Sequence, residues 1–239
     1  LESAFIQFIN KTPPIGKSLI CIDNRNIQKI LKKIKNKNIL TYGLNKKANY
    51  RIQNIRYSVG YTLFDLNYKN LNKKKTIIKN INLKLIGEHN VLNATAAIAI
   101  CINLGVKMNI IKKALKNFSG VQRRMTKIFT KNKNEFFDDY AHHPTEISSI
   151  LDGVNKVYKN RKIITVFEPH RYSRILSLKK SFIKSFIGSD LVLICPIYAA
   201  GEKKDKKFNI ISFAKSISKN SNTKVVIIND QKDLSNYFK

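Results

Sequence analysis

Four short segments of this 239-residue chain concentrate polar groups of the kinds that hold nucleotides and carboxylates. The first is Gly87-Glu88-His89-Asn90-Val91-Leu92-Asn93, between a strand-like run and a helix-like one. Asn90 and Asn93, three apart, share one side of a first helical turn, where amides can read the polar edge of a base. Asn is also a favoured helix N-cap, so this segment alone supports either role. The second, Gly120-Val121-Gln122-Arg123-Arg124-Met125, sets two guanidiniums in a turn, suited to a phosphate or to ion pairs between domains. The third, Phe136 to Glu146, delivers Asp138, Asp139, Tyr140, His142 and His143 into a loop just ahead of a helix that starts at Pro144. Asp and His are metal ligands, but adjacent histidines point apart and no HxH or HExxH pattern gives a chelating face, so orienting or binding a substrate is the favoured role. The fourth, Phe167-Glu168-Pro169-His170-Arg171-Tyr172-Ser173-Arg174, follows a strongly apolar strand. Arg171 and Arg174 converge if a helix begins near Tyr172, and two guanidiniums there suit a carboxylate or phosphate.

Such residues need a scaffold that gathers loops, and the alternation of apolar β-rich runs with 3.6-period segments specifies an α/β chain. Helices are expected at Glu2 to Asn10, Asn26 to Lys35, Val91 to Leu104 and Asn109 to Asn117, with strands at Leu19 to Ile22 and Asn38 to Tyr42. Residues 50–85 read as short alternating strands, a meander or edge subsheet with turns at Gly60 and across 67–75. A boundary is expected near residue 119, dividing a domain of residues 1–118 from one of 119–239. The second half reads as strands at Lys127 to Thr130 and Glu135 to Asp139, a helix at Pro144 to Tyr158, then a doubly wound, Rossmann-like alternation. Its strands fall at Lys162 to Phe167, Leu191 to Cys195 and Lys224 to Ile228, and its helices at Leu176 to Ile187, Ile210 to Lys219 and Asp230 to Tyr237. The strand at 162–167 is expected to be covered on both faces. In such folds ligands bind at the carboxyl ends of strands, where all four segments lie.

Composition narrows the function further. The formal charge of +30 points first to nucleic acid, yet it comes from 37 Lys and only 8 Arg, in a chain with 35 Ile and 27 Asn. Those three abundant residues share AT-rich codons, whereas a phosphate- or base-reading surface favours Arg. The charge is therefore read as lysines spread over solvated faces, including the runs Lys73-Lys74-Lys75 and Lys203-Lys204, and nucleic acid as a partner is set aside. No apolar run approaches 18 residues, so no membrane span is expected. Three cysteines, Cys21, Cys101 and Cys195, fit neither a disulfide framework nor a zinc spacing, and a reducing cytoplasm is the expected compartment. Gly16-Lys17-Ser18 resembles the tail of a phosphate loop, but Lys11 stands where the first glycine belongs and a strand follows.

In order and spacing the four segments together resemble the second half of the Mur ligases. Gly87 to Asn93 is similar to the family's G-x-H-N-x-x-N signature, Arg124 (better placed than Arg123) to the arginine that opens its carboxy-terminal domain, and Asp139-Tyr140-Ala141-His142 to its D-Y-A-H-x-P segment. The doubled histidine, the F-x-P-H-R-Y-x-R run and the opening stretch from Phe8 to Asn24 resemble the alanine-adding branch. The resemblance implies the carboxy-terminal part of a central ATP-binding domain followed by a Rossmann-like amino-acid-binding domain. It implies ligation of L-alanine to the carboxylate of UDP-N-acetylmuramate in peptidoglycan precursor synthesis, with ATP and Mg²⁺, through an acyl phosphate. Another Mur-type ligase, such as a muropeptide-recycling one, is the alternative. The residues carried over are His89, Asn90, Asn93, Arg124 and Asp139 for the nucleotide. Tyr140, His142, Arg171 and Arg174 are carried over for the substrates, and Arg124, Asp139 and His142 for catalysis. The family's P-loop, amino-terminal UDP-binding domain and metal ligands have no counterpart here. The chain, which begins with Leu, is thus expected to be a piece that binds ATP weakly and does not turn over by itself, with no metal ligands of its own.

Overall fold

Residues 1–69 and 74–238 are described by the computed structural model, and the chain folds as two units, Leu1–Ser119 and Gly120–Lys239. The first runs α1 (Glu2–Asn10), β1 (Ser18–Cys21), α2 (Arg25–Leu31), β2 (Ile39–Gly43), β3 (Tyr50–Ser58), β4 (Tyr61–Lys69), β5 (Lys75–Leu83), α3 (Glu88–Asn103) and α4 (Met108–Asn117). The five strands form one sheet in chain order, parallel from β1 to β3 and antiparallel from β3 to β5. The meander is therefore no separate subsheet, and its strands, at nine residues each, are long. The middle of the expected turn at 67–75, and with it Lys73 of the lysine run, lies outside the described residues.

α3 covers this sheet because its buried residues, Val91, Ala94, Thr95, Ile98 and Ala99, recur at three- and four-residue intervals and form one apolar stripe. The stripe joins Ile52, Phe64, Leu66, Ile81 and Leu83 of the sheet in a single core. α2 stops at Leu31, short of the expected Lys35, because Asn10 Oδ1 accepts from the N–H groups of Lys35 and Asn36 at 3.0 and 3.1 Å and draws the backbone out of the helix.

Two bulges bend the meander, where the register shifts between Gln53 and Arg56 on β3 and between Phe64 and Leu66 on β4. Asn54 and Asn80 take positive φ there, 51° and 55°. Buried Asp65 ties both sites together, accepting from Asn54 Nδ2 at 2.8 Å and from the Asn80 N–H at 2.9 Å, with Arg56 at 3.7 Å. These hydrogen bonds, Asn54's first, hold the Asp65 carboxyl below the ordinary aspartate value against the opposing effect of burial. A depressed folded-state pKa gives stability that is complete above the unfolded value, near 3.9, and is lost as pH falls through the folded one. Asp65→Asn should cost about 1–2 kcal/mol at pH 7, with the gap from wild type closing in urea titrations run at progressively lower pH below about 4.

The second unit runs β6 (Thr126–Lys131), β7 (Asn134–Asp138), α5 (Pro144–Val157), β8 (Ile164–Phe167), α6 (Tyr172–Ser177), α7 (Lys179–Phe182), β9 (Leu191–Ile194), α8 (Ile210–Ser221), β10 (Lys224–Ile227) and α9 (Gln231–Tyr237). β6 and β7 are a separate antiparallel hairpin, turned by Asn132 and Lys133 at φ 50° and 65°, as a two-residue loop of positive φ requires. β8, β9 and β10 form a parallel sheet with β9 at its centre. Val192 and Ile194 join a core with Ile147 and Leu151 of α5, Phe182 of α7, and Phe213 and Ile217 of α8. Leu191 and Leu193 pack on the other side with Ile228 and Leu234, so helices lie on both faces.

Two expectations are corrected. The strand at 162–167 is an edge, with Ile164 and Val166 each 44% exposed, while all four residues of β9 are buried. A run of β-branched residues signals a strand but not its place in a sheet. The helix expected over 176–187 begins at Tyr172 and breaks at Leu178. Its start is drawn forward because the Glu202 carboxylate accepts from the N–H of Ser173 at 3.0 Å and from its hydroxyl at 2.5 Å.

Candidate active site

In the first unit Gly87 is the N-cap of α3, at φ 100°, so the helix begins at Glu88 and carries Asn90 and Asn93 inside its first two turns. Neither asparagine is the cap. Asn90 Nδ2 donates to the Ile86 carbonyl at 2.8 Å, which fixes the amide and leaves Oδ1 to accept from a ligand amine. Asn93 is exposed. The His89 ring packs against Gly87 so closely that a Cβ there would lie 2.7 Å from its Cε1, so His89 shapes the turn that starts the helix.

In the second unit the residues between 123 and 146 interlock. Asp139 accepts from the Met125 N–H at 2.8 Å with one oxygen and from the Ala141 N–H at 2.7 Å with the other. The Tyr140 N–H donates to the Arg123 carbonyl at 2.9 Å. This clasp holds Arg123 and Met125 at φ 57° and 50°, a left-handed backbone that non-glycine residues adopt only when surroundings enforce it. Arg123 sits 3.3 Å from Asp138 and 4.6 Å above the Tyr140 ring, while Arg124 reaches Glu146 at 3.8 Å. Both ion pairs are made inside the second unit. The Arg124 side chain stays half exposed, and so open a pair holds weakly and leaves the guanidinium available.

His143 caps α5: its Nδ1 accepts from the Thr145 N–H at 3.2 Å, and Glu146 reciprocates by accepting from the N–H groups of His142 and His143. Burial raises the Glu146 carboxyl, but those two hydrogen bonds and the charges of His142 and Arg124 outweigh it and leave it below its ordinary value. His142 Nδ1 lies 2.8 Å from the Tyr140 carbonyl, which can only accept, so Nδ1 carries a proton, and in the neutral form of the ring Nε2 holds the lone pair.

The fourth segment brings in a residue the sequence reading passed over. His170 Nδ1 lies 3.1 Å from Arg174 Nη1, so the guanidinium donates and the imidazole carries its own proton on Nε2. Burial first, then the charges of Arg174, His142 and Arg171, push the His170 pKa down, consistent with a neutral ring. His170 continues a row of rings, with centroids 5.1 Å apart from Tyr140 to His142, 5.7 Å from His142 to His170 and 5.2 Å from His170 to Tyr198. Arg171, exposed, is the N-cap of α6 at φ 68°, and its N–H is held by the Tyr198 carbonyl at 2.9 Å. The structure thus gathers Arg123, Arg124, Asp139, Tyr140 and His142 in one cluster and joins His170 and Arg174 to it through His142. The cue to His170 in the sequence is its place in the arginine-bearing run from Phe167 to Arg174. Among the described residues no group of three or more His, Cys, Asp or Glu is set to hold a metal ion.

Residues 1–101 match the model of the Mur ligase middle domain, and residues 123–238 that of the Mur ligase, glutamate ligase domain. The chain belongs to the Mur ligase family. Over all 239 residues it is 49% identical to the UDP-N-acetylmuramate–L-alanine ligase of Pelagibacter ubique, of which it covers 52%. This Mur ligase chain therefore spans about half the length of the curated relatives it matches. Among solved structures it is similar to the UDP-N-acetylmuramate-alanine ligase of Thermotoga maritima, with a TM-score of 0.63 at 25% identity over 88% of this chain and 48% of that one. It shares the fold of the Mycobacterium tuberculosis folylpolyglutamate synthase complexed with ADP, with a TM-score of 0.68 at 14% identity over 95% of this chain and 48% of that one. No helix among the described residues is long and apolar enough to cross a membrane.

Proposed function

We propose that this chain supplies the nucleotide-facing and amino-acid-facing residues of an ATP-dependent ligase that joins L-alanine to the carboxylate of UDP-N-acetylmuramate. Residues 1–118 form the carboxy-terminal part of its ATP-binding domain, and residues 119–239 the amino-acid domain. The observation that carries this reading is the arrangement around His170, where two guanidinium charges meet a neutral imidazole beyond the carboxyl end of β8.

ATP, when bound, would phosphorylate the muramoyl carboxylate and leave as ADP, and the amine of alanine then attacks the acyl carbon and displaces phosphate. Asn90 and Asn93 hold the adenine end, Asn90 through the acceptor oxygen left by its bond to Ile86. Arg124, half exposed on its clasped turn, offers a guanidinium to phosphate, and catalysis of this kind is mostly such positioning and electrostatics. Asp139 acts as a positioning residue that sets Arg124 and His142 on one rigid loop. Arg174 and Arg171 pair with the alanine carboxylate. His142 Nε2, with its lone pair free, accepts a proton from the alanine ammonium and leaves the amine nucleophilic, while Tyr140 walls the same pocket. A cytoplasmic enzyme using soluble precursors fits these parts.

An NMR titration of the 239-residue chain with L-alanine and with L-alaninamide tests the reading. L-Alanine should shift the His142 and His170 ring signals saturably, and alaninamide, which lacks the carboxylate, should bind at least tenfold more weakly. Equal binding of the two would overturn it.

A further inference from the structure

Lys17, Lys46, Lys47, Arg51, Lys69 and Lys75 line a cavity of about 530 Å³ in the first unit. Lys and Arg make up 45 of the 239 residues, so fourteen lining residues would hold about two or three by composition alone. This lining holds six and no carboxylate. Like charges converging on a concave surface repel, and the low-dielectric walls strengthen that repulsion, so the arrangement is relieved by an anion.

The cavity also has built-in structure. Asn103 Nδ2 donates to the Tyr50 hydroxyl at 2.7 Å, and Lys17 Nζ donates to Asn103 Oδ1 at 2.9 Å, which tethers one ammonium to the wall. Tyr50 and Tyr68, stacked with centroids 5.3 Å apart, belong to the same wall. Arg51 Nε is buried and meets no hydrogen-bond partner among the described residues, an unmet donor of the kind a bound oxyanion satisfies. Asn103 ends the 16-residue helix α3 whose other end carries Asn90, and a helix of that length spans about 24 Å. The cavity is thus separate from the segment assigned to the nucleotide.

We propose that this cavity binds a small, multiply charged phosphate compound at a second site, independent of the ligase substrates. Its volume suits a molecule between pyrophosphate and a nucleoside polyphosphate.

The test is calorimetric titration of the 239-residue chain with sodium pyrophosphate at near-physiological salt. One-to-one saturation is expected, weakened at least tenfold by Arg51→Gln and severalfold by the paired change Lys46→Gln with Lys47→Gln. The paired change Lys203→Gln with Lys204→Gln, which removes the same charge from the other unit, should leave the affinity unchanged, as should Arg124→Gln at the phosphate contact of the nucleotide site. Should Arg51→Gln unfold, the exposed loop pair still decides. Equal losses in the two lysine pairs, or heat that never saturates, would mean general attraction to a basic chain and would overturn the proposal. So would a loss caused by Arg124→Gln, which would place the phosphate in the nucleotide site, or binding of an RNA duplex but not pyrophosphate.

Discussion

Replacing Arg174 by Ala should lower affinity for L-alanine about a hundredfold, a loss of roughly 2–3 kcal/mol for a charge-assisted pair. The same change should raise the His170 pKa, because one of the charges that depress it is gone while burial remains. The two readouts separate roles. If the His170 signal titrates upward and alanine binding is unmoved, Arg174 serves only the imidazole, and Arg171 must carry the carboxylate alone. Arg174→Lys should restore much of the depression of His170 but little of the affinity, since a single ammonium lacks the planar fork. His142→Gln should leave affinity for alanine nearly intact and abolish proton acceptance at the place held by Nε2.

Gly87→Ala should destabilise the first unit by about 3 kcal/mol and remove nucleotide binding together with it. At φ 100° and ψ 142° the backbone suits glycine alone, and the added Cβ would stand 2.7 Å from His89 Cε1 and 2.9 Å from its Nδ1. Relief would require both the turn and the ring to move, and the first turn of α3, with Asn90 in it, would move with them. Urea denaturation measures the first effect. A titration with ADP under conditions where the variant remains folded measures the second, and undiminished ADP affinity there would detach the glycine from the nucleotide site. Gly87→Ala combined with His89→Ala should recover part of the stability, since the ring no longer blocks the methyl while the φ strain persists.

What the sequence made legible follows from how local each signal is. The stripe Val91, Ala94, Thr95, Ile98 and Ala99 and the proline at the start of α5 are written within a few residues, and those helices form where the pattern places them. The four polar segments were legible for the same reason, since each is contiguous. Features that depend on residues far apart were not. Glu202 capping α6 across 29 positions advances a helix start, and Asn10, acting across 25, draws in the end of α2. The rank of β8 and β9 in their sheet depends on which strand has two neighbours, which no single run records. His170 lies beside arginines whose own chemistry points to anions, and nothing in that contiguous run records that its imidazole is the group on which Arg174 rests. A carboxylate in a polar loop points to a ligand, whereas the oxygens of Asp139 face N–H groups on either side of the loop.

The exposed position of β8 bears on self-association. An open strand margin with bare Ile164 and Val166 invites a second copy to add its own strand, the first step of fibrous association. Here Arg161 and Lys162 immediately precede that margin, Lys224 begins the opposite one, and the whole chain carries +30. Lysines that read no ligand and form no catalytic group therefore act as a repulsive fence, and raising ionic strength should promote aggregation by lowering it.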